Sequence, residues 1–454
     1  MFDPLLHRRD VLHIGTISVA TAATLTSRSP ASVKRGNPRL RAKSVILLFM
    51  DGGPSHIDLF DRKPEAPAEI RGPFDSIATT VPGTFVCEHL PKIANQMHRI
   101  CQVRSVRHTD AIHDPAVYLT LTGRRHPTPL GGLRVSPDDA PHVGSLFATL
   151  DQSRTSVPKV IELPETMKME ARTLPGQNAG FLGTAPNPFR VTVTPEAEVI
   201  PPDVMLPPNV DVDRLLLRGN LRTALDRRLS ELESNPATGF NAARRQAIDM
   251  LGSTAIRAAF DLSREPEKLR DAYGRHRHGQ SVLLARRLVE AGAKFVTVYW
   301  GREPQDWADG KGARPANNPW DTHRNHFPLT KNTLAPRADQ TLSALLTDLR
   351  ERGRLDDTLV VWMGEFGRTP TISKPWASRD HWPHANTILL AGGGAPGGQI
   401  IGRTDRRAAE VTESPVSPAD VVATMLAALG TDPHHEIHDR QGRPFLASDG
   451  TPFL

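Results

Sequence analysis

The sequence predicts an α/β fold, with a mostly parallel central sheet and helices on both of its faces. Three observations carry that expectation. Ser44 to Met50 is a continuous apolar run that stops abruptly at Asp51-Gly52-Gly53-Pro54. A short run without polar alternation suits a strand buried on both faces, as in parallel sheets. Similar runs recur at Ile100–Ser105, Lys159–Leu163, Lys294–Tyr299, Thr358–Met363 and Thr387–Ala391. Between several of them lie helical patterns with glycine stops: Ser281 to Glu290, Ala338 to Arg352 and Asp420 to Leu429 are followed by Gly292, Gly353 and Gly430. Strands alternating with helices predict a sheet covered on both sides.

Composition bounds the class. Hydrophobic residues make up 38% and charged residues 23%, which fits a globular chain rather than a disordered or membrane-embedded one. The formal charge of +6 raises the question of nucleic acid. The arginines are dispersed, however, 50 acidic residues are interspersed with them, and no basic run is flanked by stacking aromatics. The expectation is therefore no nucleic-acid partner. Two cysteines, Cys87 and Cys101, allow one disulfide or two buried thiols and exclude a four-cysteine metal knuckle.

The first residues read as a targeting segment. Arg8-Arg9-Asp10-Val11-Leu12 is a twin-arginine start, Ile14 to Leu25 is weakly apolar, and Ala20-Thr21-Ala22 offers a small-residue cleavage site. The stretch is too short and polar for a stable membrane span. The expected organisation is an export signal over 1–25, a linker over 26–43 and one domain over 44–454. Within that domain the Arg-, Leu- and Glu-rich stretch around 205–275 reads as a helical insertion. Twin-arginine export machinery is then a partner, and the location is periplasmic or extracellular.

Four segments place carboxylates and imidazoles near strand ends, where open α/β sheets collect functional groups. Asp51 follows the first strand. Glu365 follows the Thr358–Met363 strand, inside Gly364-Glu365-Phe366-Gly367-Arg368-Thr369-Pro370. Asp321, His323 and His326 lie in Trp320-Asp321-Thr322-His323-Arg324-Asn325-His326. Asp380, His381 and His384 precede the Thr387 strand. Taken singly, Asp51 reads as a turn cap, Asp321-x-His323 as a surface loop and Asp380-His381 as a structural ion pair. Together they predict a metal or catalytic site. Oxygen and imidazole donors without thiolates suit zinc, manganese, magnesium or calcium. The Gly52-Gly53 turn lacks the Gly-Lys-Ser/Thr of a P-loop.

These residues also carry a resemblance. A strand ending in Asp51-Gly52-Gly53-Pro54-Ser55-His56-Ile57-Asp58, then Leu121-Thr122-Gly123, Trp320-Asp321-Thr322-His323, Glu365-Phe366-Gly367 and Arg379-Asp380-His381-Trp382, resembles the alkaline phosphatase and sulfatase superfamily. Over nearly the whole chain it is similar to the bacterial family called domain of unknown function 1501. The resemblance implies an alkaline phosphatase-like three-layer sandwich. It implies divalent metal bound by Asp51, Asp321, His323, Glu365 and His381, with His326, Asp380 and His384 as further candidates. It implies hydrolysis of a phosphate or sulfate ester, with a polysaccharide derivative as a candidate anionic substrate. Two departures stand out. Phe366 occupies a position where relatives carry a metal ligand. His113, in Ile112-His113-Asp114-Pro115, falls where sulfatases carry their modified Cys or Ser, so His113 becomes the catalytic candidate. It acts as nucleophile, or beside a metal-activated water as ligand or base, the latter preferred. The alternative is a non-catalytic exported binding protein that keeps the metal site. His108 and Arg124 are weaker candidates for anion contacts.

Overall fold

Strand β1 (Ser44–Phe49) is buried along its whole length because it feeds two cores. Side chains alternate faces along a strand. Ile46, Leu48 and Met50 join one apolar cluster, and Val45, Leu47 and Phe49 join the other. An uninterrupted apolar run is what such a central strand requires. The computed structural model describes residues 40–200, 254–301 and 319–454, apart from positions 154, 156, 170 and 375. The export signal over 1–25, most of the expected linker, and the expected insertion up to residue 253 lie outside the described residues.

Seven further strands complete the main sheet: β2 (Ile100–Val106), β3 (Val160–Leu163), β4 (Phe189–Arg190), β5 (Phe295–Tyr299), β6 (Thr358–Met363), β7 (Asn386–Ala391) and β8 (Ile400–Ile401). Their order is β8-β2-β7-β6-β1-β5-β3-β4. β1 is parallel to β5 and β6, β3 is parallel to β5 and β4, and β8 is parallel to β2. Only β7 reverses, antiparallel to β6 and β2. The start of β7 therefore lies at the sheet edge where its neighbours end. That reversal brings a segment preceding a strand to the same edge as segments following strands. The predicted strands are present with ends shifted by no more than one residue. The two-residue edge strands β4 and β8 were not predicted, being too short to show a pattern.

The longer helices are α1 (His113–Thr122), α2 (Val143–Leu150), α3 (Thr254–Phe260), α4 (Glu267–Tyr273), α5 (Arg277–Glu290), α6 (Ala335–Glu351) and α7 (Pro418–Ala428). Val117 and Leu121 of α1, Val143 and Leu146 of α2, and Val421 and Leu426 of α7 pack with Val45, Leu47 and Phe49. Val282 and Leu283 of α5 and Leu342 and Leu345 of α6 pack on the opposite face with Ile46 and Leu48. This is the expected layering of helices on both faces.

Helix starts differ from the sequence reading for local reasons. α5 begins at Arg277, before the expected Ser281, because the His276 ring accepts the Gly279 N–H as an N-cap. Imidazole is not among the usual capping side chains, so the sequence carried no start signal. α6 begins at Ala335 with Pro336 in its first turn. α7 is capped by a reciprocal Ser417–Asp420 box, with Asp in place of the usual Glu or Gln.

Residues 40–43, expected to end the linker, are packed: Arg41 N–H donates to Gly393 and Ala42 N–H to Ala428. Helices α3 and α4 are the described part of the expected 205–275 insertion. Cys87 and Cys101 are free and buried, and burial pushes their thiol pKa values up to about 11 and about 12. No helix among the described residues is long and apolar enough to cross a membrane.

Glu162 on β3 gives the fold a pH signature. It is 1% exposed, with Arg190 at 3.3 Å. Burial outweighs the ion pair and raises its pKa from 4.5 to about 7. The folded state then holds the proton longer than the unfolded chain. Stability present below the unfolded pKa is lost as pH rises through about 7. Relative to wild type, Glu162→Gln should gain about 3 kcal/mol between about pH 4 and about pH 8. Urea unfolding at both pH values reads this, and an unchanged difference contradicts it.

Candidate metal centre

Five loop segments meet at the edge where β1, β5 and β6 end and β7 begins. Asp51-Gly52 leaves β1, and Glu365 lies two residues beyond β6. His113 opens α1, which follows β2. Asp321 and His323 lie in the chain beyond β5. His381 precedes β7 and reaches the edge because β7 is reversed. Gly52 makes the convergence possible. Its φ is +111°, and a Cβ there would lie 2.2 Å from the Asp321 N. Its own N–H donates to both Glu365 carboxylate oxygens, at 2.9 and 3.1 Å.

Three side chains share one centre. One ligand atom each from His113, Asp321 and His381 falls within 4.8 Å of the others. His381 Nε2 is 3.0 Å from Asp321 Oδ1, and its Nδ1–H donates to the Ala111 carbonyl at 2.8 Å. A neutral imidazole held in that tautomer keeps its Nε2 lone pair facing the centre. His323 Nε2 lies 2.8 Å from His381 Nε2 and 3.1 Å from Asp321 Oδ1, while its Nδ1 meets Asp380 Oδ1 at 2.7 Å. Three acceptor-capable atoms this close need a proton or a cation among them. His113 Nδ1 meets Glu365 Oε1 at 2.6 Å. Its buried Nε2 approaches Asp321 Oδ2 at 3.2 Å, off the line for a hydrogen bond. Imidazoles locked from behind by a carbonyl and carboxylates, with Nε2 atoms turned on one carboxylate, fit a divalent cation.

Electrostatics agree with the geometry. Burial works to lower the His113 pKa, but the Asp321 and Glu365 carboxylates overcome it and raise it to about 9. Burial opposes ionisation of Asp321 as well. The Arg368 guanidinium and the three imidazoles prevail and hold its carboxyl far below the ordinary range. His381 is shifted down, chiefly by burial. A cation in the centre would take over the role that protons on imidazole play without it.

The remaining expected residues are not part of that three-residue group, although Glu365 bonds to it directly. Asp51 is outside the three-residue centre: its Oδ1 accepts the Trp300 N–H at 3.2 Å and its carbonyl accepts the Trp320 N–H at 3.1 Å. Glu365 meets the centre at His113. His326 turns away, its Nε2 2.8 Å from Asp58 Oδ2 and its Nδ1 2.6 Å from Thr322 Oγ1. His108 supports the Glu365 loop. Its Nδ1 accepts the Asp110 N–H, so Nε2–H donates to the Glu365 carbonyl at 2.6 Å. His384 packs edge-on against Trp382, with 4.9 Å between ring centroids. Arg124 pairs with Asp449 at 2.9 Å and lies over Phe445.

Sequence reasoning missed Arg368. Fully buried, it donates to Asp321 Oδ1 at 2.8 Å, to the Gly53 carbonyl at 2.8 Å, and to the Gly52 and Trp320 carbonyls. It clamps three site loops, and its signal was its place in the Gly364–Pro370 motif. Phe366, at the position where the resemblance implies that relatives carry a ligand and this chain does not, lays its ring on His381 at 4.4 Å and His113 at 5.1 Å.

Several solved structures are similar to this chain over most of its length. A sulfatase from Pseudoalteromonas sp. superposes at 15% identity and a TM-score of 0.39, over 92% of this chain and 71% of that one. A phosphonate monoester hydrolase from Silicibacter pomeroyi gives 12% identity and 0.40, over 90% and 75%. The C-terminal periplasmic domain of EptC from Escherichia coli, in complex with zinc, gives 10% and 0.38, over 93% and 92%. Each activity is that of the protein named. No curated protein matches the sequence. A family model does match, over residues 42–452, and the chain belongs to that family, the proteins of unknown function DUF1501.

Proposed function

We propose that this chain is a metal-dependent hydrolase of a phosphate or sulfate ester, acting outside the cytoplasm after twin-arginine export. The observation that carries the reading is the turning of His113, Asp321 and His381 onto one point, with each imidazole fixed from behind. Those three side chains would hold the ion. Bound there, a divalent ion supplies Lewis-acid charge at the ester oxygens and acidifies a water. Every other part of the chemistry belongs to the chain. Glu365, pinned by the Gly52 N–H, orients His113. Arg368 keeps Asp321 ionised and in place. His323 is the most exposed imidazole of the group, its side chain 38% exposed against 18% for His381 and 7% for His113. Asp380 holds its Nδ1, which directs Nε2 inward. His323 is thus positioned as the proton carrier to the departing oxygen.

The test is an ester screen with aryl sulfate, aryl phosphate and a phosphodiester on protein loaded in turn with zinc, manganese, magnesium and calcium. With the active metal, His323→Ala should lower kcat by about 10²- to 10⁴-fold while metal content stays at the wild-type level. Normal metal content with no turnover of any ester would instead favour a binding protein without catalysis.

A further inference from the structure

Trp376 stands out among the described tryptophans. Trp300, Trp320 and Trp362 are buried, whereas Trp376 is 55% exposed. The Arg324 guanidinium lies 4.2 Å from its ring centroid and covers one face. Exposure of an indole gains nothing for folding, since burial of apolar surface is what stabilises the chain. The backbone nevertheless holds the pair in place. Ser373 N–H donates to the Ser378 carbonyl at 2.7 Å and closes the loop that bears Trp376. Ser378 Oγ–H donates to the Thr322 carbonyl at 2.6 Å and ties that loop to the segment bearing Arg324. Asn325 and Ala377, the neighbours of Arg324 and Trp376, both adopt left-handed backbone conformations, with φ of 57° and 45°. Non-glycine residues rarely do so, and such positions gather at ligand clamps.

The pair also adjoins residues of the site along the chain. Arg324 follows His323 directly. Trp376 lies on the loop that leads into Asp380 and His381, and His323 and Asp380 are themselves bonded at 2.7 Å. Lys374, also exposed, lies two residues before Trp376 on the same loop.

We propose that Trp376 and Arg324 form a subsite for a sugar ring next to the reacting ester, on a polysaccharide that carries anionic ester groups. The open face of the indole matches the C–H face of a pyranose. A guanidinium presents a fork of donors that suits a sulfate or phosphate oxyanion. Single-stranded nucleic acid would also stack on an indole, but it calls for a track of successive aromatic platforms. The described residues of this rim present one. The proposal rests on the ester-hydrolase reading for its placement, and its test does not need turnover.

Calorimetric titration of the full chain with a carrageenan hexasaccharide, its desulfated form and a single-stranded oligo(dT) reads the subsite. Trp376→Ala should weaken the sulfated hexasaccharide by about tenfold or more. Arg324→Ala should weaken the sulfated form and leave the desulfated one unchanged. Both variants should keep the wild-type circular dichroism and metal content. Equal affinity in Trp376→Ala, or no hexasaccharide binding by the wild type, overturns the proposal. Tighter binding of oligo(dT), lost in Trp376→Ala, assigns the platform to nucleic acid and overturns it too. If the hexasaccharide binds through Trp376 while no ester is hydrolysed, the subsite stands and the hydrolase reading falls.

Discussion

Asp321→Ala is expected to release the divalent ion and abolish ester hydrolysis. Asp321 is the one residue that touches every other part of the centre: His113 at 3.2 Å, His381 at 3.0 Å, His323 at 3.1 Å and Arg368 at 2.8 Å. Without its charge, the imidazoles and the buried Arg368 would face one another with no anion between them. Loss of an outer-shell partner typically costs ~10- to 100-fold in metal affinity. Loss of this shared ligand should exceed that range. Titration with a chromophoric metal competitor measures the affinity directly. An Asp321→Ala protein that binds metal as the wild type does would remove Asp321 from the ligand set. Asp321→Asn separates charge from shape and should fall between the two, because one amide oxygen can still ligate.

The second large effect lies one layer away. Asp58 and Arg379 form a buried ion pair, with Nε to Oδ2 at 2.6 Å and Nη2 to Oδ1 at 2.9 Å, and neither side chain is exposed. Asp58 also receives His326 at 2.8 Å and Ser55 at 2.6 Å. The pair therefore joins the turn after β1 to both histidine-bearing loops. Asp58→Ala leaves the Arg379 guanidinium buried without its counter-ion. The expected cost is about 3–5 kcal/mol of stability, with weakened metal binding because Arg379 adjoins Asp380 and His381. A double variant, Asp58→Ala with Arg379→Met, should recover part of that loss, since no charge is then stranded. A double variant less stable than either single one would show that the pair is not coupled as described. The same site predicts acid sensitivity. Burial alone would raise the Asp58 pKa, but Arg379 and His326 hold it far below its usual 3.8. The stability it supplies is present above that value and is lost as pH falls below it. Asp58→Asn should flatten this part of the acid limb in thermal unfolding.

Much of the sheet was legible because its strands are apolar on both faces. Ser44–Phe49, Phe295–Tyr299 and Thr358–Met363 are wholly buried, and an apolar run of five or six residues between turn signals is too short for a buried helix. The reversed direction of β7 was not legible, because a buried strand reads the same either way. That one reversal decides how His381 comes to face His113. The site was legible as residue types at strand ends, and Asp321, His323 and His381 do converge. What the sequence could not separate was a residue of the three-residue centre from one beside it. Asp51 directly follows an apolar run, whereas Asp321 follows Asn317-Asn318-Pro319-Trp320, and their different partners, the Trp300 N–H and the Arg368 guanidinium, are tertiary contacts. His326 and His323 are three apart, yet the left-handed turn at Asn325 sends them to different partners. Arg368 escaped notice because surface arginines are common in this chain, and its burial is a tertiary fact.

The central claim is that His113, Asp321 and His381 hold a divalent ion. X-ray absorption at the metal edge of the reconstituted protein tests it most directly. A mixed shell is expected, with imidazole scattering and carboxylate oxygen at about 2.0–2.2 Å, and loss of the imidazole signal in the His113→Ala, His381→Ala double variant. An all-oxygen shell, or a spectrum that the double variant leaves unchanged, would place the metal elsewhere and contradict the claim.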